Sequence, residues 1–220
     1  MEAERQQTNL LKLYHELCAL NTAESNDQAF LLFVEQINTI ATEIKKKPKL
    51  EQLVTMYLLL NSQHHKTLIQ LATGFGKSFM LGLMARYLNL IHGKKIAVVV
   101  PNEVLAAIQQ QKYSPWSSKD IAELFLGIAS INYCTYEDLL VGVVPVSTIL
   151  LVDEIDSLFF TDVPVVTGNR FTSAILLLNK YRVIGMTATF RGERGLNVMK
   201  TFLKDSTMIR VGEVEHERKL

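Results

Sequence analysis

The stretch Lys66-Thr67-Leu68-Ile69-Gln70-Leu71-Ala72-Thr73-Gly74-Phe75-Gly76-Lys77-Ser78 decides how this chain is read. Thr67 to Ala72 has the composition of a strand, and Lys77 to Ile91 that of a helix closed by His92 and Gly93. Between them, Gly74 and Gly76 let the backbone curl and turn its N–H groups inward. A Gly-rich turn that leaves a strand and opens a helix suits a phosphate, because the helix N-terminus adds partial positive charge to free N–H groups. Lys77 is then placed to reach the β and γ phosphates of a nucleotide, and Ser78 to ligate Mg2+. The spacing departs from the strict G-x-x-x-x-G-K-S/T pattern, since Leu71 stands where the first Gly belongs. Thr73, Gly74, Phe75, Gly76, Lys77 and Ser78 are the candidate nucleotide-binding residues of this loop.

Downstream of the loop, short apolar runs alternate with helical stretches. Lys95–Val100, Ile131–Cys134, Thr148–Val152, Arg182–Met186 and Met208–Val211 read as strands. Helices follow Pro101-Asn102, start at Thr135, and cover Phe171–Tyr181. Runs that are apolar on both faces and separated by helices predict a parallel α/β sheet covered on both sides. In such sheets ligands bind beyond the carboxyl ends of the strands. One strand, Ile149-Leu150-Leu151-Val152, ends in Asp153-Glu154-Ile155-Asp156. A buried strand ending in paired acids is a Walker B arrangement, expected here on a strand neighbouring that of the loop. Asp153 would hold Mg2+, directly or through water, and Glu154 would orient the attacking water. Lys77 and Glu154 are thus the candidate catalytic pair.

Upstream of the loop the pattern is helical. Leu10, Leu13, Tyr14 and Leu17 form one apolar stripe, and Phe30, Phe33, Val34, Ile37, Ala41 and Ile44 a second. Ser25 with Gln28 reads as a capping box for the second helix. Lys45, Lys46 and Lys47 put favourable charge on its C-terminus, and Pro48 stops it. A third helix runs near Leu50 to Leu60. The expected organisation is a helical N-terminal region over residues 1–47, then a nucleotide-binding domain over 48–220.

With 220 residues, 48% hydrophobic and 20% charged, the chain is long and apolar enough to bury a core without disulfide or metal staples. Its formal net charge of +1 excludes a global attraction to nucleic acid or acidic lipid, so any such partner needs a local patch. Cys18 and Cys134 read as core-filling thiols of a reducing compartment. The five histidines show no metal-ligand spacing. The uncharged run Leu139 to Val152 is too short to span a bilayer. Met1 to Gln7 is polar and charged, unlike a signal peptide, so a cytoplasmic location is expected and a peripheral membrane contact stays open.

Further segments carry a family resemblance. Gly185-Met186-Thr187-Ala188-Thr189 resembles motif III of superfamily 2 helicases and translocases. Pro101-Asn102-Glu103-Val104-Leu105-Ala106 resembles motif Ia, and Thr135-Tyr136-Glu137-Asp138-Leu139 motif Ib, though a helix cap accounts for either. Gln52 resembles the glutamine that reads adenine in this superfamily, or is simply an exposed helical residue. Taken together, the chain looks like the first RecA-like motor domain of a superfamily 2 ATPase, a P-loop NTPase with helices on both faces of its sheet. Within that group it most resembles the preprotein translocase ATPase SecA. Thr73-Gly74-Phe75-Gly76-Lys77 is close to T-G-E-G-K, Asp153-Glu154-Ile155-Asp156-Ser157 to D-E-V-D-S, and Gly185-Met186-Thr187-Ala188-Thr189 with Glu193 to G-M-T-G-T-A-x-x-E.

The resemblance implies ATP or ADP with Mg2+ as ligands, with Gln52, Thr187 and Thr189 added to the binding set. It also implies a second RecA-like domain, in cis or in trans, to complete the ATP site. A polypeptide is favoured over nucleic acid as the substrate, because Glu103, Glu137 and Asp138 would repel phosphates. Lys112 and Lys119, flanking Trp116, are the nearest cations. Two alternatives stand beside this reading: the first domain of an RNA or DNA helicase, and a non-hydrolysing nucleotide-dependent scaffold. The stretch between Ser157 and Gly185 is too short for the preprotein-crosslinking domain that SecA carries there.

Overall fold

A computed structural model describes residues 2–113, 131–142, 144–160, 170–188, 201 and 203–211. Three helices come first: α1 (Glu2–Leu20), α2 (Asp27–Glu43) and α3 (Leu50–Asn61). Strands and helices then alternate as β1 (Lys66–Gln70), α4 (Lys77–Leu90), β2 (Ile96–Val100), α5 (Glu103–Tyr113), β3 (Ile131–Thr135), α6 (Tyr136–Leu140), β4 (Ile149–Val152), α7 (Ile155–Phe160), α8 (Arg170–Leu178), β5 (Arg182–Thr187) and β6 (Ser206–Ile209). The six strands form one sheet in the order β3-β2-β4-β5-β1-β6, and every pairing is parallel.

The side-chain alternation of each strand shows why the sheet is covered on both faces. Ile96, Val98 and Val100 of β2 pack into one core, with Ile149 and Leu151 of β4 and Ile184 and Met186 of β5. Ala97, Val99, Leu150, Val152 and Val183 point the other way, into a second core with α6, α7 and α8. This is the RecA-like α/β sheet expected from the sequence.

The N-terminal helices share the first core with α4 and the sheet. Tyr14 stacks on Phe30 at 4.1 Å between centroids, and Tyr57 meets both rings edge-on. Phe30, Phe33 and Ile37 are almost fully buried, and each contributes about 1.5–3 kcal/mol by leaving water.

Two expectations are corrected. The cap of α2 is Asn26, whose Oδ1 accepts from the Ala29 N–H at 3.0 Å; Ser25 lies one residue too early, because the first helical residue is Asp27. The acid-bearing strand β4 is not adjacent to the loop-bearing β1, because β5 lies between them. Among the described residues no helix is long and apolar enough to cross a membrane.

Candidate active site

The loop 72–76 joins β1 to α4, and its shape is fixed by two glycines and one glutamine. Gly74 has φ +87° and Gly76 φ +92°, left-handed values that favour glycine. Gly76 is also bound by space: a Cβ there would lie 2.6 Å from Gln52 Nε2. That amide donates to the Phe75 carbonyl at 2.6 Å, while its oxygen accepts from the Lys49 N–H at 2.9 Å. In a trans peptide the carbonyl and the following N–H point opposite ways. Holding the Phe75 carbonyl down against α3 therefore turns the Gly76 N–H away from α3. Gln52 is 4% exposed. It is a buried brace under the loop, which corrects the alternative of an exposed helical glutamine. Leu71 replaces a glycine without harm because its side chain is core; its N–H donates to the Thr187 carbonyl at 2.8 Å, continuing the β1–β5 pairing.

Gly74, Gly76, Lys77, Ser78, Asp153 and Glu154 line one open cleft of about 380 Å³ at the carboxyl ends of the strands. Lys77 Nζ lies 3.0 Å from Glu154 Oε1. The other oxygen of Glu154 accepts from the Ala188 N–H at 3.1 Å and lies 3.2 Å from the Thr187 hydroxyl. Thr187 Oγ1 also lies 2.6 Å from Asp156 Oδ1, so its single proton is shared between two acids. Glu154 has φ +46°, a conformation that costs a non-glycine residue about 1–3 kcal/mol. The sharp turn it makes aims its carboxylate back across β5 at the loop.

Asp153 is 6% exposed. Gln109 Nε2 donates to its Oδ2 at 3.3 Å, and its Oδ1 is buried with no hydrogen-bond partner among the described residues. Burial first, and the charge of Glu154 second, push its carboxyl above the usual range. A buried, electron-rich oxygen with a free lone pair suits a divalent cation, and Ser78 lines the same cleft. Ser78 and Asp153 are therefore the residues that would hold Mg2+.

Four residues that the sequence did not assign to the site are brought to it by packing. Gln109 braces Asp153 from α5. The Tyr136 hydroxyl reaches the carbonyls of Asp153 at 2.6 Å and Glu154 at 2.8 Å from α6. Lys46, read as a helix-end charge, lines the cleft together with Lys112. Thr73 is exposed on the loop, and Thr187 is fully buried behind Glu154. The segments like motifs Ia and Ib do contain caps. Asn102 Oδ1 accepts from the Leu105 N–H at 3.0 Å, and Asp138 Oδ2 accepts from the N–H and hydroxyl of Thr135. Trp116, Lys119, Thr189 and Glu193 lie outside the described residues.

By sequence, residues 32–192 match the family ResIII, described as Type III restriction enzyme, res subunit. The chain belongs to the ResIII family. This ResIII domain is accordingly a superfamily 2 ATPase domain, as its motifs led one to expect. The narrower likeness to SecA is not supported. Among curated proteins no sequence matches it.

Solved structures share its fold at low identity. The UvsW helicase from bacteriophage T4 is 17% identical with a TM-score of 0.54, over 74% of this chain and 60% of that one. A DEAD box protein from Methanococcus jannaschii is 17% identical with a TM-score of 0.51, over 80% of this chain and 53% of that one. S. cerevisiae Dbp5 bound to RNA and ADP BeF3 is 15% identical with a TM-score of 0.56, over 80% of this chain and 49% of that one. The ResIII domain thus spans 60% or less of each of these three chains.

Proposed function

We propose that this chain is the nucleotide-binding half of a superfamily 2 motor acting on nucleic acid, with Mg-ATP bound between residues 73–78 and the Asp153–Glu154 turn. The observation that carries the reading is the meeting of three separate segments on one carboxylate. Lys77 from the loop after β1 holds one oxygen of Glu154, and Thr187 and Ala188 at the end of β5 hold the other. Phosphate oxygens arriving over the loop compete with Glu154 for Lys77. Glu154 is then free to orient a water and draw its proton, still steadied from β5. The end of β5 thereby senses whether the phosphate is present. Mg2+ between Ser78 and Asp153 would supply neutralisation of the phosphate oxygens.

Nucleic acid is preferred to a polypeptide as the substrate on two grounds. The family match and the helicase-like neighbours favour it, and one argument against it weakens. Asp138 is engaged in the capping box of Thr135, where one carboxylate oxygen accepts from the Thr135 N–H and hydroxyl. The segments after β2 and β3 lie side by side, since Val100 pairs with Thr135.

Lys77→Ala is expected to weaken Mg-ATP binding by roughly two orders of magnitude, because charge-assisted contacts to phosphate are each worth about 1.5–3 kcal/mol. Calorimetric titration reads this, and unchanged affinity would refute the phosphate cradle. Fluorescence anisotropy with single-stranded RNA or DNA tests the substrate. Binding that strengthens with Mg-ATP is expected. Binding to unfolded polypeptide in its place would favour the translocase reading.

A further inference from the structure

Three lysines line the phosphate cleft, where the loop motif accounts for one. Lys46 reaches it from the end of α2 and Lys112 from the last turn of α5. Neither stands on a loose stretch of chain. The Lys45 N–H donates to the Thr42 carbonyl at 3.1 Å, and the Lys46 N–H to the Ala41 carbonyl at 3.3 Å. With Lys45 at φ +55°, this pair of bonds is a Schellman motif built without the usual glycine. It pins the backbone of Lys46, whose Nζ sits 4.3 Å from the centre of the Phe79 ring, two residues beyond Lys77. On the other flank, Gly82 lets α5 approach α4: a Cβ there would lie 2.7 Å from the Tyr113 ring. Tyr113 is buried in that gap, and Lys112 Nζ lies 5.4 Å from its ring centre.

The charges in the cleft are unevenly matched. Lys77 is paired with Glu154. Among the described residues neither Lys46 nor Lys112 has a carboxylate within 4.0 Å. A nucleoside triphosphate carries more negative charge than one lysine and one divalent cation neutralise. We propose that Lys46 and Lys112 bind the nucleotide's phosphate chain from the two flanks of the loop, so that the N-terminal helical region contributes a cation to the site. The proposal rests on the nucleotide-site reading above, and it gives α2 a part in ligand binding beside its part in the core.

The test is calorimetric titration of the full chain with Mg-ATP. Lys46→Met and Lys112→Met keep the aliphatic stems on their rings and remove the charge. Each is expected to weaken binding about fivefold, and the double variant more than tenfold. The losses should shrink as salt is raised, because both lysines are exposed. Lys46→Arg and Lys112→Arg should restore affinity, which a merely structural role would not require. Lys47→Met, exposed and outside the cleft, should bind like the unaltered chain; an equal loss there would overturn the proposal as a general charge effect. Unchanged affinity in the double variant, with Lys77→Ala weakened, sinks this proposal alone. Unchanged affinity in Lys77→Ala as well sinks the nucleotide-site reading, and this proposal with it.

Discussion

Burial and the neighbouring charge of Glu154 push the Asp153 carboxyl above the usual carboxylate range, and among the described residues one of its oxygens has no hydrogen-bond partner. Its pKa is therefore higher in the folded chain than in the unfolded one. The folded state takes up the proton more readily, so stability is lost as pH rises through that window. Asp153→Asn removes the charge and keeps the acceptor for Gln109. The variant is expected to melt at a higher temperature than the unaltered chain at neutral pH. The gain should vanish at acidic pH, where both states of the unaltered chain are protonated. Calorimetric melting across pH reads this, and an unchanged or lower Tm at pH 7 would contradict it. Mg2+-dependent nucleotide binding should be lost in the same variant.

Asp153, Glu154 and Lys77 were legible in the sequence because each sits where a strand ends or a helix begins, with chemistry that a core does not need. Gln109 and Lys46 were not. Their residue types are ordinary for a helix surface and a helix end, and only packing brings them to the cleft.

Among elements, the short helix α6 has an influence out of proportion to its length. It starts at the capping box of Thr135 and Asp138, which fixes where Tyr136 points. The Tyr136 hydroxyl then bonds to the two carbonyls of the turn that carries the acids. Because Glu154 is held at a positive φ, that turn needs support from outside itself. Tyr136→Phe keeps the ring in its core and takes a donor from the Asp153 carbonyl, while the Glu154 carbonyl still accepts from the Ser157 N–H at 2.8 Å. It is expected to cost about 1–2 kcal/mol and lower Tm by roughly 2–8 °C. Far-UV dichroism should stay unchanged, while Mg-ATP affinity falls as the Glu154 carboxylate loses its aim. A full-affinity, full-stability Phe variant would show the bonds to be incidental.

Strands were readable because both faces are apolar, and the runs such as Ile96–Val100 have no polar position to blur them. The strand order was not readable. The sequence of β1 and β4 says that each ends at a ligand crevice, but their pairing with β5 depends on long-range contacts that leave no local pattern. Helix α2 was placed correctly by its stripe of Phe30, Phe33 and Ile37, while its cap was missed by one residue because Ser25 and Asn26 both have capping side chains.

At the scale of the whole molecule, the cleft is well supplied for binding and poorly supplied for turnover. Three lysines, two acids and a helix N-terminus face it, yet among the described residues no arginine lines it. In phosphoryl transfer a positioned arginine, delivered in cis or from a partner, supplies a factor of about 10³–10⁵. The Lys77–Glu154 pair adds to the barrier, since it must open before Glu154 can address a water. Together these features predict that the 220-residue chain binds Mg-ATP far better than it hydrolyses it. Turnover should lie orders of magnitude below the usual enzyme value of about 10 s⁻¹. The measurement is steady-state phosphate release, run beside Glu154→Gln as the blank. A rate near 10 s⁻¹ that Glu154→Gln abolishes would mean that the cleft is complete as it stands. A slow rate that rises by orders of magnitude when a second RecA-like domain is supplied in trans would show that this fold holds the fuel and relies on another to fire it.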